Sequence, residues 1–372
     1  MRVVIAAETF LPRMNGVVNS VMQVSRHLRD RGIPVLIIAP DSSAPREFEG
    51  IPVERVRSVT LPGVHDYDVS VASTATMGRI LDGFRPTVIH LASPFFLGAR
   101  VHAAARERGI PVVSVFQTDI AGYAQHYGMA PLAFIADTVV RRIHGSSDLN
   151  LVPSTATATY LTRLGAPHVQ VWRRGVDLGT FSPDHRDGVL RTRWGADGRT
   201  VVGYLGRLAP EKRVHTLASL AVRDDVRVVV IGEGPCRHDL VTLMPDAVFT
   251  GRLGGADLGA AVASLDVLVA PGEKETFCQV VQEGMASGVA VVAPAVGGPV
   301  DLIDHEGTGL LYAPGDTGAM TDSVLRLARD DVLRRRIASA GRATVAPRSW
   351  SSVCDELVRH YDALAPMSLV AA

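Results

Sequence analysis

The chain has 372 residues, 38 basic and 38 acidic side chains and a formal net charge of zero, so it has room for two domains and no charge excess that calls for nucleic acid. Three cysteines, Cys236, Cys278 and Cys354, stand far apart without a Cys-x-x-Cys, which argues against a disulfide framework and a zinc site and fits a reducing cytoplasm. No run approaches the roughly eighteen apolar residues of a spanning helix, so any membrane contact is expected to be peripheral.

The N-terminal MRVVIAAETF is interrupted by Glu8, too early for a secretory core, and reads as a first strand. Short apolar runs then alternate with amphipathic segments along the whole chain, the pattern of parallel sheets covered by helices. In the first half the predicted strands are RVVIAAE, PVLIIAPD, TVIHLAS, PVVSVFQ and DLNLVPS. Between the first two lies a helical segment, Asn19 to Asp30, with Val21, Val24 and Leu28 on one face and Gly32 as its stop. The pattern loosens around VWRRGVDLGTFSPDHRDG, which places residues 1–174 in an N-terminal Rossmann-like domain and 175–195 in a linker.

The alternation restarts with VVGYLG, VRVVVIGEG, AVFTGR, LDVLVAPG, VAVVAPA and TGLLYAPG, giving a second Rossmann-like domain over 196–347. Two amphipathic helices are expected from Thr317 to Ala346, and a last one over 348–365. The fold class is therefore α/β, with two doubly wound domains in tandem facing across a cleft, and function should sit on loops that follow strands.

Three loops carry candidate chemistry. After the first strand, FLPRMNGVVNSV lacks the Gly-x-Gly-x-x-Gly of a dinucleotide fold. It places Asn15 and Gly16 just before a helix, where a backbone free of a side chain can approach a phosphate; a plain strand-to-helix turn is the other reading. GRLAPEK puts Arg207 and Lys212 five residues apart at the mouth of the second sheet, able to grip a diphosphate or to stand as solvated surface charge. Only Lys212 and Lys274 are lysines in a chain that otherwise uses arginine, which marks Lys212 as a compact ammonium kept where arginine is the habit.

The third stretch, PGEKETFCQVVQEGMASG, holds Glu275 and Glu283. On one helix they would stand about 12 Å apart along the axis and turned by roughly 80°, too far for one metal or a shared proton. A helix beginning near Phe277 would instead set Glu275 at its entrance and Glu283 a turn and a half inside, with the amides of Phe277, Cys278 and Gln279 between. That suits an extended ligand with an anionic middle, such as a nucleotide-sugar. Read without a ligand, it is one glutamate favoured by the helix dipole and one exposed.

Glu275 to Glu283, followed by GMASGVAVVAPAVGGPVDLI and TGLLYAPGD, resembles the E-x7-E signature of family 4 retaining glycosyltransferases, which have the GT-B fold. The Asn15-Gly16 pair, RGVD and GRLAPEK match the same family in the same order, over essentially the whole chain. More narrowly, ETFLPRMNGV, HLASP, QTDIAGYAQHYG, PSTAT and GEKETFCQVVQE are similar to actinobacterial GDP-mannose-dependent α-mannosyltransferases of glycolipid and lipoglycan synthesis.

The resemblance implies that Gly16 and the backbone around Cys278 and Gln279 meet the donor phosphates, that Arg207 and Lys212 hold the diphosphate, that Glu275 bonds hexose hydroxyls, Glu283 the ribose, and the loop around Arg252 the base. It implies transfer with retention from GDP-mannose, without metal or other cofactor, to a lipid-linked, polyol or glycan acceptor at the inner face of the membrane, and a C-terminal helix that returns to the first domain. Two departures stand out. Family members often have histidine, which bonds the donor sugar near its 6-hydroxyl, where this chain has Gln117, a neutral amide that can donate and accept but holds no proton, with Asp119 nearby as an expected acceptor-side contact. Cys278 stands where many relatives have glycine.

His90 in VIHLASP is expected to cap the sheet, and the Tyr123, His126 and Tyr127 loop to cover the acceptor side. PLAFIADTVVRRIHG, ending in Arg141, Arg142 and His144, could touch an anionic bilayer or be a buried amphipathic helix. Rivals of another class are a nucleotide-sugar 2-epimerase and a non-catalytic sensor, and within transferases a UDP-glucose or other hexose donor stays open.

Overall fold

The computed structural model describes residues 1–41, 44–61, 67–117 and 130–364, in two compact units. The first joins residues 1–174 to the C-terminal helix, and the second is Gly175–Ser349.

The first unit carries a sheet of β1 (Val3–Ala7), β2 (Val35–Pro40), β3 (Glu47–Phe48), β4 (Ile51–Val56), β7 (Val88–Ala92), β8 (Val112–Val115), β9 (Leu149–Val152) and β10 (Val169–Val171). Their order is β10-β9-β8-β7-β1-β2-β4-β3, all parallel except the short edge strand β3, and a hairpin of β5 (Ser58–Leu61) and β6 (Tyr67–Ser70) stands apart. The five strands read from the sequence are buried along their whole length, as strands covered on both faces must be. The others were not legible as apolar runs: β4 alternates buried and exposed residues beside the sheet edge and contains Pro52.

Helix α1 (Gly16–Asp30) begins three residues earlier than expected, because Asn15 caps it: its Oδ1 accepts from the amides of Val17 and Val18, both at 2.9 Å. It stops as predicted at Gly32, in the left-handed region at φ +69°. α2 (Thr74–Phe84), α3 (Phe96–Arg106), α4 (Ala130–His144) and α5 (Thr155–Arg163) complete the first unit up to its C-terminal helix.

In α4, Val140 and Ile143 are buried and Arg141 and Arg142 exposed. His144 follows the buried-helix alternative: it is fully buried, its Nδ1 lies 2.7 Å from Asn150 Oδ1, and burial pulls its pKa down to about 4. It cannot join Arg141 and Arg142 on a bilayer-facing surface. Among the described residues no helix is long and apolar enough to cross a membrane.

In the second unit α6 (Gly188–Arg193) precedes six parallel strands, β11 (Thr200–Leu205), β12 (Val226–Ile231), β13 (Val248–Gly251), β14 (Val267–Val269), β15 (Ala290–Pro294) and β16 (Leu310–Tyr312), ordered β13-β12-β11-β14-β15-β16. The helices between and after them are α7 (Ala218–Ala221), α8 (Arg237–Leu243), α9 (Gly255–Ala263), α10 (Gln279–Ala286), α11 (Pro299–Leu302), α12 (Thr317–Arg329) and α13 (Asp331–Val345). The segment read as a linker is packed into this unit, where Val176, Phe181 and Trp194 join its core.

α14 (Trp350–Leu364) lays Val353, Leu357 and Tyr361 into the same apolar cluster as Val21, Val24 and Leu28 of α1. Trp172 Nε1 donates to the carbonyl of Val353 at 3.0 Å, and the His90 ring lies 2.6 Å from the Tyr361 hydroxyl. His90 therefore has the structural role expected of it.

Both sheets reverse direction once, between β1 and β7 and between β11 and β14. At such a point the loops leaving adjacent strands diverge to opposite faces and open a crevice beyond the strand ends. The loops after β1, β11 and β14 are the three that carry the motifs.

Candidate active site

In the first unit the amides that follow β7 are met by a side chain from the end of β1. Glu8, at the end of β1, is buried, and its carboxylate accepts from the amides of Phe95, Leu97 and Gly98 at 2.6, 3.1 and 2.8 Å. It thus occupies the anion position that the start of α3 offers. Burial raises its pKa, opposed by those amide bonds.

The start of α1 is arranged differently. Gly16 is its first residue, and a Cβ there would lie 2.6 Å from Nη1 of Arg174. The same guanidinium donates through Nη2 to Oε1 of Gln117 at 2.5 Å, and both side chains are buried. Gly16 and Gln117 are thus brought together by Arg174, which sequence reasoning passed over although RGVD was noted as a motif. Asp119, Tyr123, His126 and Tyr127 lie outside the described residues.

In the second unit the loops after β11 and β14 meet. Lys212, in a short 3₁₀ turn over Pro210–Lys212, places Nζ 2.5 Å from Oε1 of Glu275. Tyr204, buried at the end of β11, donates its hydroxyl to the carbonyl of Arg207 at 2.8 Å and so fixes the backbone from which the exposed Arg207 side chain extends. Desolvation keeps the Tyr204 phenol protonated far above its ordinary range. Beside them Arg213 is paired with Glu273, whose Oε1 also accepts from the amide of Gly315 at 2.9 Å.

The helix carrying Glu283 starts two residues later than expected, at Gln279. Cys278 is its cap residue, at φ 70° and ψ 62° in the left-handed region, and makes no side-chain cap bond. A side chain there costs about 1–2 kcal/mol, which is the physical reason a glycine serves at this position. Its thiol is buried and desolvation pushes its pKa well up, so it is no nucleophile.

The side chain of Phe277 lies in the core, 2% exposed, and only its backbone lines the loop. Gln279 donates through Nε2 to the carbonyl of Gly175 at 3.0 Å, tying the helix start to the RGVD segment. Glu283 is half-buried within α10.

The pair Gly297-Gly298, on the loop after β15, packs over this stretch. The Gly298 amide donates to the Glu275 carbonyl at 2.8 Å, and a Cβ on Gly298 would meet the Phe277 backbone at 2.4 Å. Arg252 is exposed on the loop after β13, at the same C-terminal edge of the parallel sheet.

The family model "Glycosyltransferase Family 4" matches residues 14–180, and "Glycosyl transferases group 1" matches 199–330. A GDP-mannose-dependent alpha-mannosyltransferase of Mycolicibacterium smegmatis is 48% identical over 370 residues, 98% of each chain. The chain belongs to glycosyltransferase family 4. A Mycobacterium tuberculosis protein of the same description is also 48% identical, over 98% of this glycosyltransferase and 97% of that protein.

Among solved structures, sucrose-phosphate synthase from Thermosynechococcus elongatus aligns with a TM-score of 0.83 at 20% identity over the full length of both chains. Anabaena HepE in complex with UDP aligns at 0.80 and 20%, over 98% of this glycosyltransferase and 100% of that chain. Likeness at that identity establishes the fold, which is GT-B, as the resemblance implied.

Proposed function

We propose that this glycosyltransferase moves mannose from GDP-mannose to a hydroxyl of a cell-envelope glycolipid or lipoglycan-precursor acceptor, with retention at the anomeric carbon. Identity of 48% across 98% of a GDP-mannose-dependent alpha-mannosyltransferase is the observation that carries it. The Lys212–Glu275 contact at the switch point of the second unit agrees with it, since it sets a cation for a diphosphate beside a carboxylate for sugar hydroxyls.

The chemistry is a same-face exchange through an oxocarbenium-like state. The bond from the anomeric carbon to the diphosphate oxygen breaks and the bond to the acceptor oxygen forms. The acceptor proton passes to the departing diphosphate oxygen, so GDP leaves carrying it. Arg207 and Lys212 offset the charge that grows on that leaving group, in the role a metal plays elsewhere. Glu275 holds hexose hydroxyls, Glu283 the ribose, the Arg252 loop the base, and the start of α10 at Cys278 and Gln279 the phosphates. The first unit supplies Asn15, Gly16, Gln117 and Asp119. The enzyme works at the inner face of the plasma membrane, where its acceptor lies, with Arg141 and Arg142 against anionic lipid.

Calorimetry with GDP, UDP and ADP tests the donor: binding of GDP alone is expected, and tight UDP binding without GDP binding overturns it. Product NMR reports the anomeric configuration, and turnover after chelation with EDTA is expected to match the untreated enzyme. Flotation with anionic liposomes, with and without Arg141 and Arg142 replaced, tests the membrane contact; equal flotation removes it.

A further inference from the structure

Arg174 is only 9% exposed and lies 57 residues from Gln117 in sequence, yet its Nη2 is 2.5 Å from the glutamine Oε1. A guanidinium can only donate, so the amide atom that faces it must be oxygen, and the Gln117 amino group is turned to the other side. Nη1 of the same side chain stands 2.6 Å from where a Cβ of residue 16 would be, nearer than Cβ contacts come. One buried side chain therefore sets the orientation of one expected sugar contact and occupies the space that a side chain at an expected phosphate contact would take. For packing alone the choice is poor: a buried guanidinium is costly, and set at the start of the fifteen-residue helix α1 it opposes the helix dipole. An apolar side chain would fill the same space at lower cost.

We propose that Arg174 is a positioning residue for the transfer reaction, holding the Gln117 amide with its amino end turned away from the guanidinium and filling the space a side chain at position 16 would need. The inference rests on the mannosyl-transfer reading above. It predicts that Arg174 acts through Gln117 and Gly16, so losses at the three positions do not add.

The test is a kinetic double-mutant cycle with GDP-mannose. Arg174→Met is expected to lower kcat on the order of 100-fold, as a misplaced sugar contact does, with KM for GDP-mannose within about threefold of wild type. Arg174→Met combined with Gln117→Ala is expected to be no slower than the slower single variant. Gly16→Ala is expected to cost at least about tenfold in wild type and nothing further once Arg174 is Met. Arg174→Lys, which keeps charge and length but loses the fork, guards against a folding defect and is expected to reproduce most of the kcat loss.

Multiplying losses in either double variant, or wild-type kcat in Arg174→Met, overturns the proposal. Wild-type protein that neither binds GDP nor turns over GDP-mannose removes the mannosyl-transfer reading instead, so the two failures are told apart.

Discussion

Lys212 Nζ and Glu275 Oε1 stand 2.5 Å apart although 63 residues separate them, and both side chains remain about one-fifth exposed. They meet because β11 and β14 are neighbours at the point where strand order reverses, so the loops leaving them share one crevice. An ion pair this open to solvent contributes about 1 kcal/mol at most to stability, too little to explain it as a structural device.

Lys212→Ala and Glu275→Gln are therefore expected to lose transfer by about 10³-fold or more while melting within a few degrees of wild type. Product formation from labelled GDP-mannose and a thermal melt read the two arms. Near-native turnover in either variant would sink the assigned roles.

Cys278 offers the opposite case, a residue that costs stability where it stands. At φ 70° it accepts strain that glycine avoids. Cys278→Gly should raise unfolding stability by about 1 kcal/mol and preserve transfer, whereas Cys278→Val, branched at the same φ, should destabilise by about 2 kcal/mol or more. Urea midpoints at constant m-value decide it; a less stable glycine variant contradicts the account.

Gly298 is set by close approach. A methyl group there would meet the Phe277 backbone at 2.4 Å and displace the loop that holds Glu275. Gly298→Ala should reduce kcat by roughly 100-fold or more, because the carboxylate moves although its chemistry is unchanged. Wild-type kinetics in this variant would show that the loop has slack.

His90 gives a pH dependence. Burial against the Tyr361 hydroxyl holds it neutral, with its pKa lowered to about 3 from 6.5. Between those values the unfolded chain binds a proton that the folded chain does not, so stability rises with pH up to about 6.5 and falls as pH drops below it. The slope is about 1.4 kcal/mol per pH unit for each such histidine. His144, lowered to about 4, adds to it over the upper part of that range. His90→Gln should flatten the pH 4–6 dependence of the urea midpoint by about one proton; an unchanged slope places the titration elsewhere.

Much was written locally. The apolar runs ending at Ala7, Val115 and Val269 named their strands because burial on both faces leaves no polar position to blur the period. Gly32 marked the end of α1 through cap chemistry confined to a few residues, whereas the Asn15 cap, which starts the helix ahead of the expected Asn19, was not read as one. β4 with its exposed Pro52, and the β5–β6 hairpin, carried no such run, since a strand with one face open to solvent needs only half its side chains inside. His144 looked like part of a basic helix end; whether it meets Asn150 depends on how the helix is rotated against the sheet.

By itself the sequence determined the α/β class, the loops that would carry function, and the motifs that mark a family 4 glycosyltransferase, because periodicity, capping and motif spacing are short-range properties. Only the tertiary structure decided that Lys212 reaches Glu275, that Arg174 turns Gln117 and closes over Gly16, and that Cys278 sits in a glycine conformation. Those relations follow from strand order and loop packing, which bring together residues tens of positions apart and leave no trace in the local pattern.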